Sequence, residues 1–299
     1  MYAVIDAGGT TFKCAVSGVD GDLVFKRRVK TRHPDETIRE CLDFFRSSEQ
    51  QTGAKIIGMG IACFGPLNID DRSENFGKIL NTPKPDWANF RIRERFEQEL
   101  GVNVNIDTDV NAALKAEMKL GAGRGARRAA YVTVGTGIGV SFIQDDVFIA
   151  KPTHSEFGHI CVERHPEDLF EGRCAFHKSC LEGLASAAAF EARWGDAKLV
   201  DQNSRAWEIE ADYLAQLCIS INLLLRPEKI ILGGGMLLAP TLIDKIRAAY
   251  LSRINGYLLE SAQDIESKIV CPWFGDDAGL AGAKILAEES IFMPQRESF

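Results

Sequence analysis

Residues 2–17, YAVIDAGGTTFKCAVS, decide the fold of this 299-residue chain. Apolar residues over Tyr2–Ile5 predict a strand, a glycine turn (AGGTT) follows, and Phe12–Ser17 predicts a second strand. The pair Asp20-Gly21 is typical of a tight hairpin turn, and it leads into a third predicted strand over Leu23–Lys26. The chain therefore begins with a glycine turn inside an antiparallel meander of three strands.

The same order of elements recurs in the middle of the chain. Ala130–Val134 predicts a strand, Gly135-Thr136-Gly137 a turn and Val140–Gln144 the next strand; Asp145-Asp146 then turns the chain into a strand over Val147–Ala150. Other apolar runs predict strands at Lys55–Ala62, Asn103–Asp107 and Lys229–Leu232. Helical periodicity covers Thr37–Phe45, Val110–Lys119, Leu181–Trp194, Asp212–Leu225, Pro240–Ser252 and Ala278–Glu289. This alternation predicts an α/β protein made of two similar halves, with ligand in a cleft between them.

The composition is that of a globular protein with enough apolar residues for a large core. Hydrophobic residues make up 45% and charged residues 26%, and the formal net charge is -7 with a pI near 5.4. This acidic balance argues against a nucleic-acid partner, because nucleic acids bind basic surfaces. We see neither a signal peptide nor a run of about 18 apolar residues that could span a membrane, so we expect a cytoplasmic protein without a membrane partner. The eight cysteines are expected to be reduced, as metal ligands or core residues.

A cluster of histidine and cysteine residues predicts a zinc site. The residues His159, Cys174, His177 and Cys180 follow the spacing H-x14-C-x2-H-x2-C. Imidazole and thiolate ligands together suit Zn²⁺, and four protein ligands leave no open position for a reacting water, so we expect a structural metal. Cys161, His154 and His165 are alternative ligands, and a loop with scattered Cys and His is the competing interpretation.

Two carboxylates lie close in sequence to these ligands. Glu156 precedes His159 by three residues, and Glu182 follows Cys180 by two. A structural metal can orient neighbouring polar groups for which it does no chemistry itself. We therefore expect both glutamates to belong to a polar binding site that the zinc holds in place.

The glycine turns predict a nucleotide site. The first turn combines a carboxylate, backbone N–H groups, hydroxyls and a cation, the groups that hold phosphate and its Mg²⁺, in Asp6, Gly8, Gly9, Thr10, Thr11 and Lys13. The second turn, Gly135-Thr136-Gly137, could hold the same polyphosphate from the other half, which makes a nucleotide the expected ligand. Gly233-Gly234-Gly235 ends a strand in bare backbone on which adenine could lie. A plain hairpin with glycine in positive φ is the competing interpretation of one such turn alone.

The candidate general base lies where a predicted strand yields to a helix. In the stretch Ile106–Ala113, Asp109 occupies the expected N-cap of the helix. Capping is the ordinary role of aspartate at such a position. Beside a nucleotide γ-phosphate, the same carboxylate would accept the proton of a substrate hydroxyl.

Taken together, these motifs resemble those of the ROK sugar kinases, and most closely the bacterial fructokinase branch of that family. The resemblance extends over nearly the whole chain, and the most specific stretches are GKILNTPKPDWANF (residues 77–90) and CAFHKSCLEGLASAAAFEARWG (residues 174–195). It implies the duplicated actin-like, ribonuclease-H-like fold in two lobes. The first lobe would span residues 1–116 and be rejoined by the C-terminal helix near 278–290; the second would span residues 117–277.

The resemblance also implies an activity, ATP- and Mg²⁺-dependent phosphorylation of D-fructose to fructose 6-phosphate. Asp109 would be the catalytic base. The sugar would contact Glu156, His159, Glu182, Asn81 and Gly65, with His159 also bound to zinc. Family members are often dimers, so a homodimer is expected.

Departures from the family pattern leave the identity of the sugar open. Ser155, Phe157, the pair Lys178-Ser179 and the pair Ala188-Ala189 replace residues that are usual in the family, and a kinase for glucose, mannose or an N-acetylhexosamine is the alternative. A non-catalytic, sugar-sensing regulator of the same family is disfavoured. The first strand begins at residue 2 and leaves no room for a helix-turn-helix before it.

Overall fold

In a computed structural model of the chain, residues 1–18, 21, 23–82, 84 and 86–293 are described. They divide into two compact units. Of the described residues, the first unit comprises those within 1–116, 150–154 and 277–293, and the second comprises those within 117–149 and 155–276. The strands are β1 (Tyr2–Ala7), β2 (Thr11–Ser17), β3 (Leu23–Lys30), β4 (Gly58–Cys63), β5 (Val104–Thr108), β6 (Arg128–Val134), β7 (Ile138–Gln144), β8 (Val147–Phe148), β9 (Lys229–Gly233) and β10 (Ile269–Val270). The helices are α1 (Pro34–Thr52), α2 (Ile92–Leu100), α3 (Asp109–Leu120), α4 (Leu181–Ala185), α5 (Ala187–Trp194), α6 (Arg205–Leu225), α7 (Leu242–Ile254), α8 (Ala262–Lys268) and α9 (Ala278–Ser290).

The first unit contains a five-stranded sheet in the order β3-β2-β1-β4-β5. Strands β1 to β3 form an antiparallel meander, whereas β4 and β5 continue the sheet parallel to β1. Alternate residues of β1 point to opposite faces of the sheet. Ala3 and Ile5 join a core with α1 and α2, and Tyr2 and Val4 join a core with α9.

Helix α9 packs on this sheet with its backbone very close to its neighbours. A Cβ atom on Gly60 of β4 would lie 1.9 Å from the carbonyl oxygen of Ala283, and one on Gly282 would lie 2.1 Å from that of Ala112 in α3. Both positions therefore require glycine. This close packing brings the N-terminus of α9 to the edge of the sheet where β1 ends.

The second unit repeats the topology of the first. Its sheet has the order β10-β9-β6-β7-β8, with β6 to β8 as an antiparallel meander and with β9 and β10 parallel to β6. Strands β6 to β10 thus correspond in order and direction to β1 to β5. The predicted α/β fold with two similar halves is confirmed.

Several predicted element boundaries were wrong. The helix expected over Leu181–Trp194 is broken at Ser186, whose extended backbone ends α4 and whose hydroxyl accepts a hydrogen bond from Ala189 N at the start of α5. The strand expected to reach Ala150 ends at Phe148. Helices α2 and α8 were not predicted, because they are short and largely polar. The turn at Asp20-Gly21 falls partly outside the described residues.

The cysteines follow the expectation only in part. Cys14, Cys41, Cys63 and Cys218 are buried, whereas Cys161 and Cys271 are exposed rather than in the core. Within the described ranges, we find no helix with the length and hydrophobicity needed to cross a membrane.

Candidate active site

The candidate site of the first unit lies at the carboxyl ends of three parallel strands. The strand register pairs Ala7 of β1 with Cys63 of β4, and Cys63 with Thr108 of β5. Parallel strands end at the same edge of their sheet, which is where ligands bind in open α/β sheets. The turn after β1, the segment after β4 and the start of α3 therefore emerge side by side.

The first glycine turn has the features of a phosphate-binding loop. Gly8 N donates to Thr11 O at 3.0 Å, and the hydroxyl of Thr31 donates to Gly8 O at 2.8 Å, so the turn is held in one conformation. Gly9 has no atom within 4 Å of an ideal Cβ position, and Thr10 is exposed. The backbone of the turn is therefore open to a ligand.

The charged residues beside this turn form an ion pair. Lys13 Nζ lies 3.5 Å from Asp6 Oδ2, and both side chains are less than one-fifth exposed. A carboxylate at a strand end is a suitable ligand for an oxygen-preferring cation such as Mg²⁺, and the ammonium group is a suitable partner for phosphate oxygens.

Gly279 is a neighbour of Asp6 that the sequence analysis did not identify as a site residue. A Cβ atom at this position, in the first turn of α9, would lie 2.6 Å from the carboxylate carbon of Asp6. Gly279 lies in the stretch Asp276-Asp277-Ala278-Gly279-Leu280, and its contact with Asp6 depends on the packing of α9, 273 residues away along the chain.

Asp109 lies at the end of β5, but it is not the residue that caps α3. Asn111 N donates to the hydroxyl of Thr108 at 3.2 Å, so Thr108 is the cap and Asp109 is the first helical residue. The expectation that Asp109 is the N-cap was therefore wrong. Its Oδ1 accepts from the adjacent Val110 N at 2.9 Å.

The environment of Asp109 makes its carboxylate basic. Burial, followed by the negative charge of Asp6, raises the pKa of Asp109 to about 7, while Val110 N and His154 oppose the shift. A general base works best with a pKa near the operating pH.

The second aspartate of this region has a structural role. Asp107 is buried, and its Oδ1 accepts from Asn111 Nδ2 at 2.7 Å. Lys151 Nζ lies 2.8 Å from its other oxygen. These partners hold the carboxylate in the core of the first unit, which leaves Asp109 as the better candidate for chemistry.

The two other expected sugar contacts of the first unit lie on neighbouring segments. Gly65 and Asn81 are exposed, and Leu80 N donates to Pro66 O at 2.8 Å. His154 lies beside Gly65 and accepts a hydrogen bond from Leu67 N through Nε2 at 3.4 Å. His154 is therefore a site neighbour in the first unit and is not part of the metal cluster.

The metal cluster contains the four residues of the preferred prediction. The ligand atoms of His159, Cys174, His177 and Cys180 all lie within 4.8 Å of one another. Nδ1 of His159 is 3.4 Å from Cys180 Sγ and 3.8 Å from Cys174 Sγ, and Nδ1 of His177 is 3.7 Å from Cys174 Sγ. Zinc bond lengths of about 2.0–2.3 Å in a tetrahedron require separations of roughly 3.6 Å between ligand atoms. The donor set therefore fits Zn²⁺ in chemistry and in spacing.

Local backbone pairing explains why the four ligands converge. Lys178 N donates to Cys174 O at 3.0 Å, so residues 174–180, the zinc knuckle, form a tight turn. Leu181 N donates to Ile160 O at 2.9 Å, which places the segment of His159 against the end of the knuckle. Cys161 pairs with Cys180 through the backbone only and is exposed.

His159 has a different set of neighbours on each of its two ring nitrogens. Nδ1 faces the cysteine sulfurs, whereas Nε2 lies 3.9 Å from Glu156 Oε2 and 3.8 Å from Glu182 Oε1. A metal on Nδ1 leaves the proton on Nε2, where it can be donated to a ligand beside the two carboxylates. The structure thus brings Glu156, His159 and Glu182 together.

Glu182 also connects this cluster to the second glycine turn. Its Oε2 accepts from Ile138 N at 3.0 Å, and a Cβ atom on Gly137 would lie 2.6 Å from the same oxygen. Gly135 N donates to Gly137 O at 2.9 Å across the turn, and Thr136 is exposed. The second turn is thus adjacent to Glu182, beside the metal cluster.

The third glycine segment lines a cavity of about 110 Å³ at the end of β9. The lining is largely backbone and apolar side chains, contributed by Gly233, Gly234, Leu237, Leu238, Cys271, Pro272, Gly275 and Asp276. Gly235, expected with its neighbours, begins the short 3₁₀ turn that follows. Bare backbone and apolar side chains of this kind suit a flat aromatic ring such as adenine.

Each unit therefore assembles one set of the expected site residues. Asp6, the first turn and Asp109 lie together in the first unit; the metal cluster, the two glutamates and the second turn lie together in the second. The single cleft expected from the sequence stays a prediction.

Comparison with known proteins assigns the chain to a family. The sequence profile of the ROK family matches residues 2–290, so the chain belongs to the ROK family. It is 39% identical to a fructokinase of Zymomonas mobilis, over 96% of both chains. It is 37% identical to a fructokinase of Streptococcus mutans, over 91% of this chain and 92% of the relative.

Solved structures support the fold. A ROK hexokinase from Thermus thermophilus superimposes with a TM-score of 0.75 at 24% identity, covering 97% of this chain and 99% of the other. A ROK glucokinase from Streptomyces griseus, solved with glucose and AMPPNP, gives a TM-score of 0.76 at 23% identity, covering 96% and 99%. At these identities the likeness shows the fold alone.

Proposed function

We propose that this protein is a fructokinase, which transfers the γ-phosphoryl group of ATP to D-fructose to form fructose 6-phosphate and ADP. Family membership supports a sugar kinase, and relatives named fructokinase are 37–39% identical over more than 90% of both chains. A relative named glucokinase, from Streptomyces coelicolor, is only 26% identical. The observation that carries the chemistry is Asp109, a half-buried carboxylate at a strand end whose pKa is raised to about 7.

The proposed reaction is a direct transfer between two oxygens. Asp109 accepts the proton of the 6-hydroxyl of fructose, the freed oxygen bonds to the γ-phosphorus, and the bond from that phosphorus to the β–γ bridging oxygen breaks. The departing oxygen carries its electron pair away on ADP. Positioned proton transfer of this kind contributes about 10² to 10⁴ in rate.

The glycine turns are proposed to hold the triphosphate. Backbone N–H groups around Gly8–Thr11 and Gly135–Gly137, with Lys13, would contact phosphate oxygens, and adenine would occupy the slot beside Gly233–Gly235. Asp6 supplies the carboxylate for Mg²⁺, which when bound would neutralise charge on the phosphates.

Sugar recognition is proposed to use the five residues expected to contact the sugar. Glu156, Glu182 and His159 Nε2 would bond to the sugar hydroxyls, together with Asn81 and the backbone at Gly65. A buried polar pocket discriminates strongly, because a sugar that lacks one hydroxyl leaves a protein group without a partner. Zinc on the four cluster residues would hold His159 and the segments of both glutamates in place. A homodimer and a cytoplasmic location stay predictions.

The decisive test of the proposal is substitution of Asp109 by Asn. We expect the wild-type protein to release ADP from Mg-ATP in the presence of D-fructose. Asp109→Asn should lower kcat by about 10² to 10⁴ while fructose binding, measured by calorimetry, is retained. Asp43→Asn, which removes an exposed carboxylate from α1, is the control for loss of charge. Near-normal kcat in Asp109→Asn would rule out the base assignment, and a wild-type protein inactive with every sugar would rule out the kinase.

A further inference from the structure

The carboxylate of Glu117 has no role in the reaction described so far, although it is completely buried. Glu117 lies near the C-terminal end of α3, and its side chain belongs to the second unit. Burial of a carboxylate is costly unless hydrogen bonds compensate for the lost water. The partners of this carboxylate therefore indicate what its burial achieves.

Three backbone N–H groups donate to this carboxylate. Ala122 N donates to Oε2 at 2.7 Å, Trp273 N donates to the same oxygen at 3.1 Å, and Phe274 N donates to Oε1 at 3.1 Å. Hydrogen bonds from N–H groups to an ionised carboxylate are stronger than those between neutral groups. Glu117 thus connects the end of α3 to a loop that is 156 residues away along the chain.

That loop is one wall of the cavity proposed for adenine. Of its residues 271–276, Cys271, Pro272, Gly275 and Asp276 line the cavity. The two residues between them, Trp273 and Phe274, are the ones whose N–H groups Glu117 binds. Among the described residues, Glu117 is therefore hydrogen-bonded to the middle of this wall, at Trp273 and Phe274.

The turn that follows α3 is shaped around the same carboxylate. A Cβ atom on Gly121 would lie 2.1 Å from Glu117 Oε2, so a larger residue there would displace the carboxylate. Gly121 N and Gly123 N both donate to the backbone oxygen of Glu117, at 2.9 and 3.0 Å. The turn therefore leaves the carboxylate little freedom to move away from the loop.

We propose that Glu117 is a positioning residue for the nucleotide pocket, which sets the affinity for ATP and ADP by holding the loop 271–276 against the strand end at Gly233. The proposal rests on the proposed function, since it requires that this cavity bind the nucleotide. It assigns to Glu117 no contact with ATP and no part in phosphoryl transfer.

Glu117→Gln tests the proposal with almost no change in shape. The amide replaces one acceptor oxygen by a donor that faces backbone N–H groups, so at least one of the three bonds is lost. We expect about a 10-fold weaker affinity for ADP by calorimetry with Mg²⁺ and a similar rise in KM for ATP. KM for fructose, and kcat at saturating ATP, should change by less than about twofold.

Glu260→Gln is the matched control. Glu260 is a mostly buried carboxylate of the second unit that accepts from Tyr250 and Asn222, and it does not line the cavity. This variant should lose thermal stability with unchanged ADP affinity. Gly121→Ala displaces the Glu117 carboxylate without changing Glu117 itself, so it should weaken ADP binding as Glu117→Gln does. It tests the positioning role if Glu117→Gln does not fold.

The outcomes separate this inference from the proposed function. A wild-type protein that does not bind ADP would overturn both. A wild-type protein that binds ADP, with folded Glu117→Gln binding it equally well at a lower melting temperature, would leave the kinase standing and overturn the positioning role.

Discussion

Asp109 illustrates how a residue's surroundings decide its chemistry. Thr108 caps α3, so the carboxylate of Asp109 is not needed for that task. Burial, followed by the charge of Asp6, raises the pKa of Asp109 to about 7. The same aspartate in water would have a pKa of about 3.9 and would be a much weaker base.

This shift predicts a pH-dependent effect of Asp109 on stability. The folded state binds the proton more tightly than the unfolded state, so the stabilising contribution is fully present below about pH 4 and is lost as the pH rises through about 7. Asp109→Asn cannot ionise and should therefore gain stability relative to wild type as the pH rises from 4 to 7, by at most about 1.4 kcal/mol for each pH unit.

Urea denaturation at pH 5 and pH 8 measures this difference. Asp43→Asn serves as the control for the loss of one negative charge from an exposed position. A stability difference between wild type and Asp109→Asn that is the same at both pH values would contradict the raised pKa.

At the residue scale, the sequence predicted ligand types better than hydrogen-bond partners. Spacing and chemistry were sufficient for the four cluster residues, because short x2 steps force Cys174, His177 and Cys180 into one turn. The roles of Gly279 beside Asp6 and of Glu182 beside the second glycine turn depend on packing between distant segments. No local pattern could indicate those contacts.

At the scale of elements, the zinc knuckle and its neighbouring segment form one hydrogen-bonded assembly. Zinc binds thiolates, so metal binding to Cys174 and Cys180 would release their protons. The Nδ1 atom of His159 contacts Cys180 Sγ of the knuckle, and this orientation of the ring places Nε2 beside Glu156 and Glu182. Loss of the metal should therefore disturb sugar binding more than nucleotide binding.

Cys180→Ser tests this expectation. We expect the variant to lose its zinc, measured by mass spectrometry, and to show a 10- to 100-fold higher KM for fructose. Cys161→Ser changes the exposed cysteine that pairs with Cys180 through the backbone, and it should retain one zinc and normal KM. The account of the knuckle is wrong if Cys180→Ser keeps full fructose affinity after complete loss of metal.

Element boundaries were harder to predict than element types. The apolar pattern over Leu181–Trp194 continues through Ser186, but the chain bends there because Ser186 caps a new helix. Helix α2 buries only Ile92, Arg93 and Phe96, too few residues for a visible apolar stripe. The first error arises because a local hydrogen bond at Ser186 interrupts the helix, and the second because α2 has too few buried residues to show helical periodicity.

At the scale of the whole molecule, the duplication was readable because each half begins with the same strand, glycine turn and meander. The two sheets have the same strand order and directions. The hydrogen bonds of Glu117 to the loop 271–276 could not be predicted, since they join positions 117 and 273–274. A repeated local pattern is visible in a sequence, whereas a single long-range contact is not.

The central claim is that this ROK protein phosphorylates fructose. The identity of the preferred sugar also shows whether the departures from the family pattern at Phe157 and Ala188-Ala189 change sugar specificity. The direct measurement is kcat/KM for ADP release from Mg-ATP with D-fructose, mannose, glucose, N-acetylglucosamine and N-acetylmannosamine, using zinc-loaded protein. We predict that fructose gives the highest value, by at least about 10-fold, because a pocket built for one set of hydroxyls rejects the others. A higher kcat/KM with any other sugar, or no ADP release with all five, would contradict the account.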